Sequence, residues 1–137
     1  MVKKTKGEIL LSETEKGFLI INARTASGAL PVPLAVISIY KEGSLIAIEE
    51  TNQSGITSAV AIDAPRRELS LTPSAGVPYS LVSIKSEREG YYSVDFENVP
   101  IYPGITSIQP INMIPISSED DYRGQTIYYD EGKGPNL

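Results

Sequence analysis

GFLIINART (17–25), SGALPVPLAVISIY (27–40), SLIAIEETNQSGITSAVAID (44–63), PYSLVSIKSEREGYYSVDF (78–96) and GITSIQPINMIP (104–115) are short apolar segments separated by turn signals. SG, PVP, EG, SG and EGYY punctuate them. Alternation with a period of two puts successive side chains on opposite faces of a strand, and turns at this spacing are the mark of a small antiparallel sandwich. The sequence therefore predicts an all-β fold, a seven-stranded antiparallel β-sandwich with strands at 17–25, 35–41, 44–50, 56–62, 79–87, 91–97 and 105–114. The in-facing positions are Leu19, Ile21, Ala35, Ile37, Ile39, Val60, Ile62, Val82 and Ile84. The first segment is apolar on both faces at its start, with Phe18 and Ile20 opposite Leu19 and Ile21, so cover on both sides is expected there. Pro31 and Pro33 cannot donate to a ladder, which puts PVP outside the paired region. DAPRRELSLTPSAGVP (63–78) carries three prolines and a glycine and reads as a long connection across one end.

The 137 residues bound one domain plus ends. The expected limits are a flexible segment at 1–16, a sandwich domain at 17–116 and a disordered acidic tail at 117–137. The tail holds Glu119, Asp120, Asp121, Asp130 and Glu131 against Arg123 and Lys133, with no apolar period. The lysines near the start precede only Ile9-Leu10-Leu11, which is shorter than a signal-peptide core, and no run reaches transmembrane length. The reading is a cytoplasmic protein with no membrane partner.

Composition narrows the chemistry. There is no cysteine, histidine or tryptophan. Disulfides, thiolate metal sites and cysteine nucleophiles are excluded, and the commonest general base and zinc ligand is missing. With 12 basic against 17 acidic residues and a net charge of −5, the chain lacks the basic footprint that nucleic acid requires. Arg66 and Arg67 form the one basic doublet of the body, read as a solvated loop feature and a candidate contact. Three carboxylate sets were weighed for hydrolysis: Glu49 with Glu50, Glu87 with Glu89, and Asp95 with Glu97. All sit among exposed polar neighbours at strand ends. Glu119-Asp120-Asp121 lacks the alternating spacing and turn glycine of a calcium loop. A serine–lysine nucleophile would need a buried, deprotonated lysine, and Lys85 occupies an out-facing position. No phosphate-loop spacing occurs. No catalytic residue, metal ligand or cofactor is expected.

The eight tyrosines are the better hint of a surface. Tyr91 and Tyr92 follow a glycine turn, Tyr102 lies in the connection before the last strand, and Tyr128 and Tyr129 fall in the tail. Paired tyrosines anchor protein partners or stack on sugars. Tyr91, Tyr92, Tyr102, Arg66 and Arg67 are therefore the candidate partner or ligand contacts.

The same segments resemble the carboxypeptidase regulatory-like family, whose fold is the transthyretin-like (prealbumin-like) sandwich. The resemblance rests on the apolar first strand, the turn from Gly28 to Pro33, the small Ala35, the turn from Thr51 to Gly55, and Gly90-Tyr91. Asn52 stands where the family carries aspartate. SGIT, AP (64–65), PY (78–79), EGYY, NVPIYPG and IQPINMIP further resemble modules found in clostridial spore cortex-lytic enzymes and in small free-standing relatives. These motifs are structural turns, and no catalytic residue comes with them. The resemblance implies a non-enzymatic accessory or protein-interaction module associated with spore cortex or cell-wall hydrolysis, with a protein partner or self-association. The alternative is a module that binds carbohydrate, namely a cell-wall glycan or peptidoglycan. Related pilin and adhesin sandwiches form lysine–asparagine cross-links. Asn112 sits on the last strand, but Ala23-Arg24 occupies the place of the lysine.

Overall fold

In the computed structural model, residues 14–66, 79–117 and 126–131 are described. They form nine strands: β1 (Thr14–Thr25), β2 (Leu30–Pro31), β3 (Val36–Lys41), β4 (Ser44–Glu50), β5 (Val60–Pro65), β6 (Ser80–Glu87), β7 (Ser93–Ile101), β8 (Thr106–Asn112) and β9 (Thr126–Asp130). One sheet is built around β1, with β2 and β5 on one side and β8 on the other. The second runs β4-β3-β6-β7-β9. The all-β sandwich expected from the alternating segments is what forms.

The core follows the period of two. Leu19, Ile21, Ala35, Ile37 and Ile39 are fully buried, and Val60, Ile62, Val82 and Ile84 are nearly so, as the alternation requires. Ala23, Val32, Ala64, Val94, Phe96, Val99, Ile101, Ile111 and Met113 complete the cluster. Two of the threonines that enter it bond to backbone. The Thr25 hydroxyl donates to the Met113 carbonyl at 2.7 Å, and Thr57 Oγ1 accepts from the Ile21 amide at 3.0 Å.

Several local expectations are corrected. There are nine strands among the described residues, not seven, and two ladders are parallel: β8 against β1 and β9 against β7. β1 is a central strand with hydrogen-bonded neighbours on both edges; Leu19 and Ile21 are buried on its core face, and Phe18 and Ile20 are partly buried on the other. Strand structure in the 56–62 stretch begins only at Val60, because the Gly55 turn brings Gly55 O to the Ala23 amide (2.7 Å), and Ile56 makes an isolated bridge to Asn22. β7 runs on through Pro100 to Ile101. The register between Val82–Ile84 and Phe96–Val99 slips by one residue, and Asn98 takes a left-handed φ of 59° there. This is a bulge that asparagine tolerates better than most side chains. Pro31 belongs to β2, where its lack of an amide costs nothing at a two-residue edge.

The largest departure is β9, which falls inside the stretch expected to be disordered. Tyr129 stacks on Phe96 with ring centroids 4.9 Å apart, Ile127 packs against the core, and Asn98 Nδ2 donates to Asp130 Oδ1 at 2.9 Å. The signal was present as Thr126-Ile127-Tyr128-Tyr129, a β-prone tetrapeptide hidden by its acidic surroundings. β1 likewise begins at Thr14, ahead of the expected limit. Residues 1–13, 118–125 and 132–137 lie outside the described residues, as does most of the 63–78 connection.

Candidate interaction site

One end of the sandwich gathers two of the turns singled out in the sequence. The PVP turn is held by Thr51, which is 2% exposed. Its hydroxyl donates to the Val32 carbonyl at 2.7 Å and accepts from the Ala35 amide at 2.9 Å, while its backbone exchanges two further bonds with Leu34 and Ala35. This clamp forces Leu34 into the left-handed region, φ 63°, with its side chain 49% exposed. A branched residue held there costs roughly 1–2 kcal/mol and gains no core packing in return.

The Arg88–Tyr91 turn, which joins β6 to β7, meets this clamp beside it in the same sheet, where Glu87 of β6 stands across from Val36 of β3. Arg88 Nε donates to the Pro33 carbonyl at 3.0 Å. The Gly90–Tyr92 segment then pairs with Ile114–Ile116: the Tyr92 amide donates to Ile114 O and the Ile116 amide to Gly90 O, each at 2.9 Å. Between these pieces lies an open groove of about 590 Å³ lined by Leu34, Val36, Glu87, Arg88, Glu89, Gly90, Tyr91, Ser93 and Ile116. Its apolar wall is Leu34, Val36, Tyr91 and Ile116, and its rim carries two carboxylates and one guanidinium. Tyr91 is half-buried against the core, so it is a wall of the groove and a packing residue at once.

The four candidate contacts among the described residues do not converge. Tyr91 lines the groove, and Tyr92 follows it in the chain without lining it. Tyr102 and Arg66 lie at the opposite end, beyond the far ends of β7 and β5, and the length of β7 alone separates them by about 30 Å. Tyr102 meets Tyr79 edge to face, centroids 5.6 Å apart and planes at 66°. Arg67 lies outside the described residues. Leu34, Arg88 and Ile116 were missed. An apolar residue stranded after Pro33 in a turn was the available signal for Leu34, whereas nothing local distinguishes Arg88 or Ile116.

The carboxylate sets lie on β4, at the end of β6 with the turn after it, and on β7. Glu49 stands across from Ile37 and Glu50 across from Val36, hence on opposite faces of β4. Asp95 is 3.5 Å from Lys85 Nζ, and Glu97 accepts a hydrogen bond from Ser83 at 2.8 Å. Glu87 stands across from Val36 on the outer face. The Glu119–Asp121 run lies outside the described residues. Elsewhere, Lys16 Nζ meets Asp63 Oδ1 at 2.6 Å, and that ammonium, through the hydrogen bond and its charge, holds the Asp63 carboxyl below its ordinary value of 3.8. Burial, with Asp130, Glu97 and Asp95 nearby, raises the Tyr128 phenol. No group of three acid, histidine or cysteine side chains among the described residues is arranged to hold a metal ion. No helix of the described residues is long and apolar enough to cross a membrane.

A second open cavity, about 630 Å³, lies beside β8 and is lined in part by Asn22, Arg24, Phe96, Gln109, Asn112 and Tyr129. Arg24 stands directly across from Asn112 in the parallel ladder, and its Nε donates to Gly28 O at 2.7 Å. The position facing Asn112 thus holds a guanidinium already engaged with backbone.

No protein-family model and no curated protein matches the sequence. Solved structures resemble the fold. A minor pilin of Streptococcus agalactiae aligns at 14% identity with a TM-score of 0.51, over 79% of this chain and 48% of the pilin, so the chain spans about half of that protein. The 5-hydroxyisourate hydrolase of Klebsiella pneumoniae aligns at 15% identity and TM-score 0.41, over 74% of this chain and 94% of the hydrolase. A chain of a type II cohesin–X-dockerin complex from Acetivibrio cellulolyticus aligns at 16% identity and TM-score 0.38, over 76% and 58% respectively. At this identity the likeness to the pilin speaks to the sandwich architecture alone.

Proposed function

We propose that this protein is a non-enzymatic protein-interaction module whose partner seats in the groove between the PVP turn and the Arg88–Tyr91 turn. The observation that carries the reading is Leu34: an exposed leucine, clamped by Thr51 into a strained conformation, whose side chain forms the groove wall rather than the core. Strain that serves no packing is a signature of a surface kept for contact. The partner that fits presents an apolar anchor to Leu34, Val36 and Ile116, with a cation facing Glu87 and Glu89. The sugar-binding alternative needs coplanar exposed rings. Tyr79 and Tyr102 are set at 66°, and Tyr129 spends its face on Phe96, so neither pair supports it. We extend the reading to the setting that the sequence resemblance implies, an accessory of spore-cortex or cell-wall hydrolysis.

The test uses Leu34→Asn. Asparagine accepts a left-handed φ, so the fold is kept and the thermal midpoint is unchanged or raised. Binding to a partner captured from sporulating cells, identified and then purified, falls at least about tenfold. Binding that is indifferent to Leu34→Asn but lost in high salt refutes the groove and points to an electrostatic mode. A partner unrelated to wall or cortex hydrolysis refutes the setting and leaves the groove intact.

A further inference from the structure

Sheet edges are a hazard that soluble proteins blunt with charge, proline or cover. Here β7 is covered by β9, but among the described residues β4 has a single neighbour, β3. Its sequence, Ser44-Leu45-Ile46-Ala47-Ile48-Glu49-Glu50, contains no proline and no lysine. Leu45, Ile46 and Ile48 are 49%, 43% and 58% exposed. The register slips between Ile39–Ala47 and Tyr40–Leu45, so Ile46 is an extra residue opposite β3. Such a bulge turns two consecutive side chains toward the same face. It accounts for Leu45 and Ile46 both being exposed, and it leaves Ala47–Glu50 as a regular stretch with one unpaired side.

We propose that this stretch pairs antiparallel with its counterpart in a second copy, about a two-fold axis at Ile48. The choice of occupant follows from the residues. With Ile48 opposite Ile48 of the second copy, Ala47 falls opposite Glu49 and Ile46 opposite Glu50. Isoleucine thus meets isoleucine on the outer face, and every carboxylate stands across from an apolar residue. A parallel arrangement would instead set Glu49 and Glu50 beside the same residues of the second copy, in like-charge contact about 5 Å apart. The same two-fold axis sets Ile48 against Ile48 of the second copy and Ile46 against the aliphatic stem of Glu50, so each of these exposed isoleucines gains a cross-strand neighbour. An isologous contact of this kind closes at two copies. It is independent of the groove, because neither Leu34 nor the Arg88–Tyr91 turn belongs to it.

Sedimentation velocity of the full chain is expected to give twice the 14.8 kDa mass, shifting to one copy in Ile48→Lys and in Ile46→Glu, which sets like charges across from each other, with the circular dichroism retained. Ile108→Lys, at a 63% exposed position of β8, leaves the dimer intact. Because the chain has no cysteine, Ile48→Cys introduces a single thiol that lies on the axis. Mild oxidation joins its two copies at least tenfold faster than those of Ile108→Cys. A wild-type protein that stays monomeric at millimolar concentration overturns the proposal and leaves the edge open to a foreign strand. A dimer that survives Ile48→Lys, or an Ile48→Cys protein that cross-links no faster than the β8 variant, overturns it equally.

Discussion

Gly55→Ala isolates two costs that the structure superimposes at one residue. Gly55 has φ +80°, which an L side chain enters at roughly 1–2 kcal/mol. An added Cβ would also lie 2.4 Å from the Ala23 carbonyl oxygen, nearer than the 3.0 Å that Cβ atoms respect, so backbone must yield by at least about 0.6 Å. That carbonyl accepts from Val32 at 2.9 Å, and the Ala23 amide donates to Gly55 O at 2.7 Å. Moving either strand strains both bonds at a buried position, each worth about 1 kcal/mol and more if left unsatisfied. The expected loss is about 3–5 kcal/mol. Gly43→Ala supplies the control: φ is +81°, yet nothing lies within 4 Å of the added atom, so only the conformational part, about 1–2 kcal/mol, applies. Urea unfolding of the two variants, fitted with a common slope, reads the difference directly. If Gly55→Ala is no more destabilised than Gly43→Ala, the close packing of the Gly55 turn against β1 is not what fixes the start of β5.

Ending the chain after Ser117 removes β9, strips Phe96 of its stacked ring and exposes the β7 edge. The expected loss is about 2–4 kcal/mol, read as a fall in thermal midpoint, and an unchanged midpoint would mean that β9 contributes nothing to the fold. The Lys16–Asp63 pair is more than a third exposed on both sides, so Asp63→Asn costs no more than a surface pair, about 0.2–1 kcal/mol at neutral pH. Its carboxyl is lowered in the folded protein, so that contribution is present above 3.8 and is lost as pH falls through 3.8 to the folded value. Urea midpoints of wild type and variant should therefore converge in acid, and a gap that stays constant there assigns the pair no role.

The period of two was enough to find the core because burial of one strand face leaves little freedom. Slipping Ile37 and Ile39 by one position would expose both and bury Val36 and Tyr40. What the pattern could not give is the pairing partner. Parallel and antiparallel ladders present the same alternation, so β8 read as an ordinary last strand, although it lies parallel beside β1. β9 was hidden for a different reason. Its contribution comes from Phe96 and Asn98, more than twenty residues away, and composition windows centred on the tail report only the charges around it.

The candidate site was legible in pieces and illegible as a whole. The PVP turn and Gly90-Tyr91-Tyr92 are visible as punctuation, because proline and glycine restrict or release φ whatever surrounds them. Their union depends on β3 pairing with β6, which sets Val36 across from Glu87 and lets Arg88 reach the Pro33 carbonyl, a contact across 55 residues that no local signal encodes. The same limit explains why Tyr102 and Arg66 were grouped with Tyr91: residue type marks a side chain as adhesive, but only the crossing of strands decides which end of the sandwich it occupies. Leu34 shows the converse. Its strain arises from Thr51, which satisfies four backbone groups of the turn and so leaves Leu34 no other conformation. Changing Thr51 to Val should therefore disorder the groove wall and destabilise the core together, whereas Leu34→Asn touches the wall alone. That asymmetry is why Leu34, and not its clamp, is the position at which contact and stability can be separated.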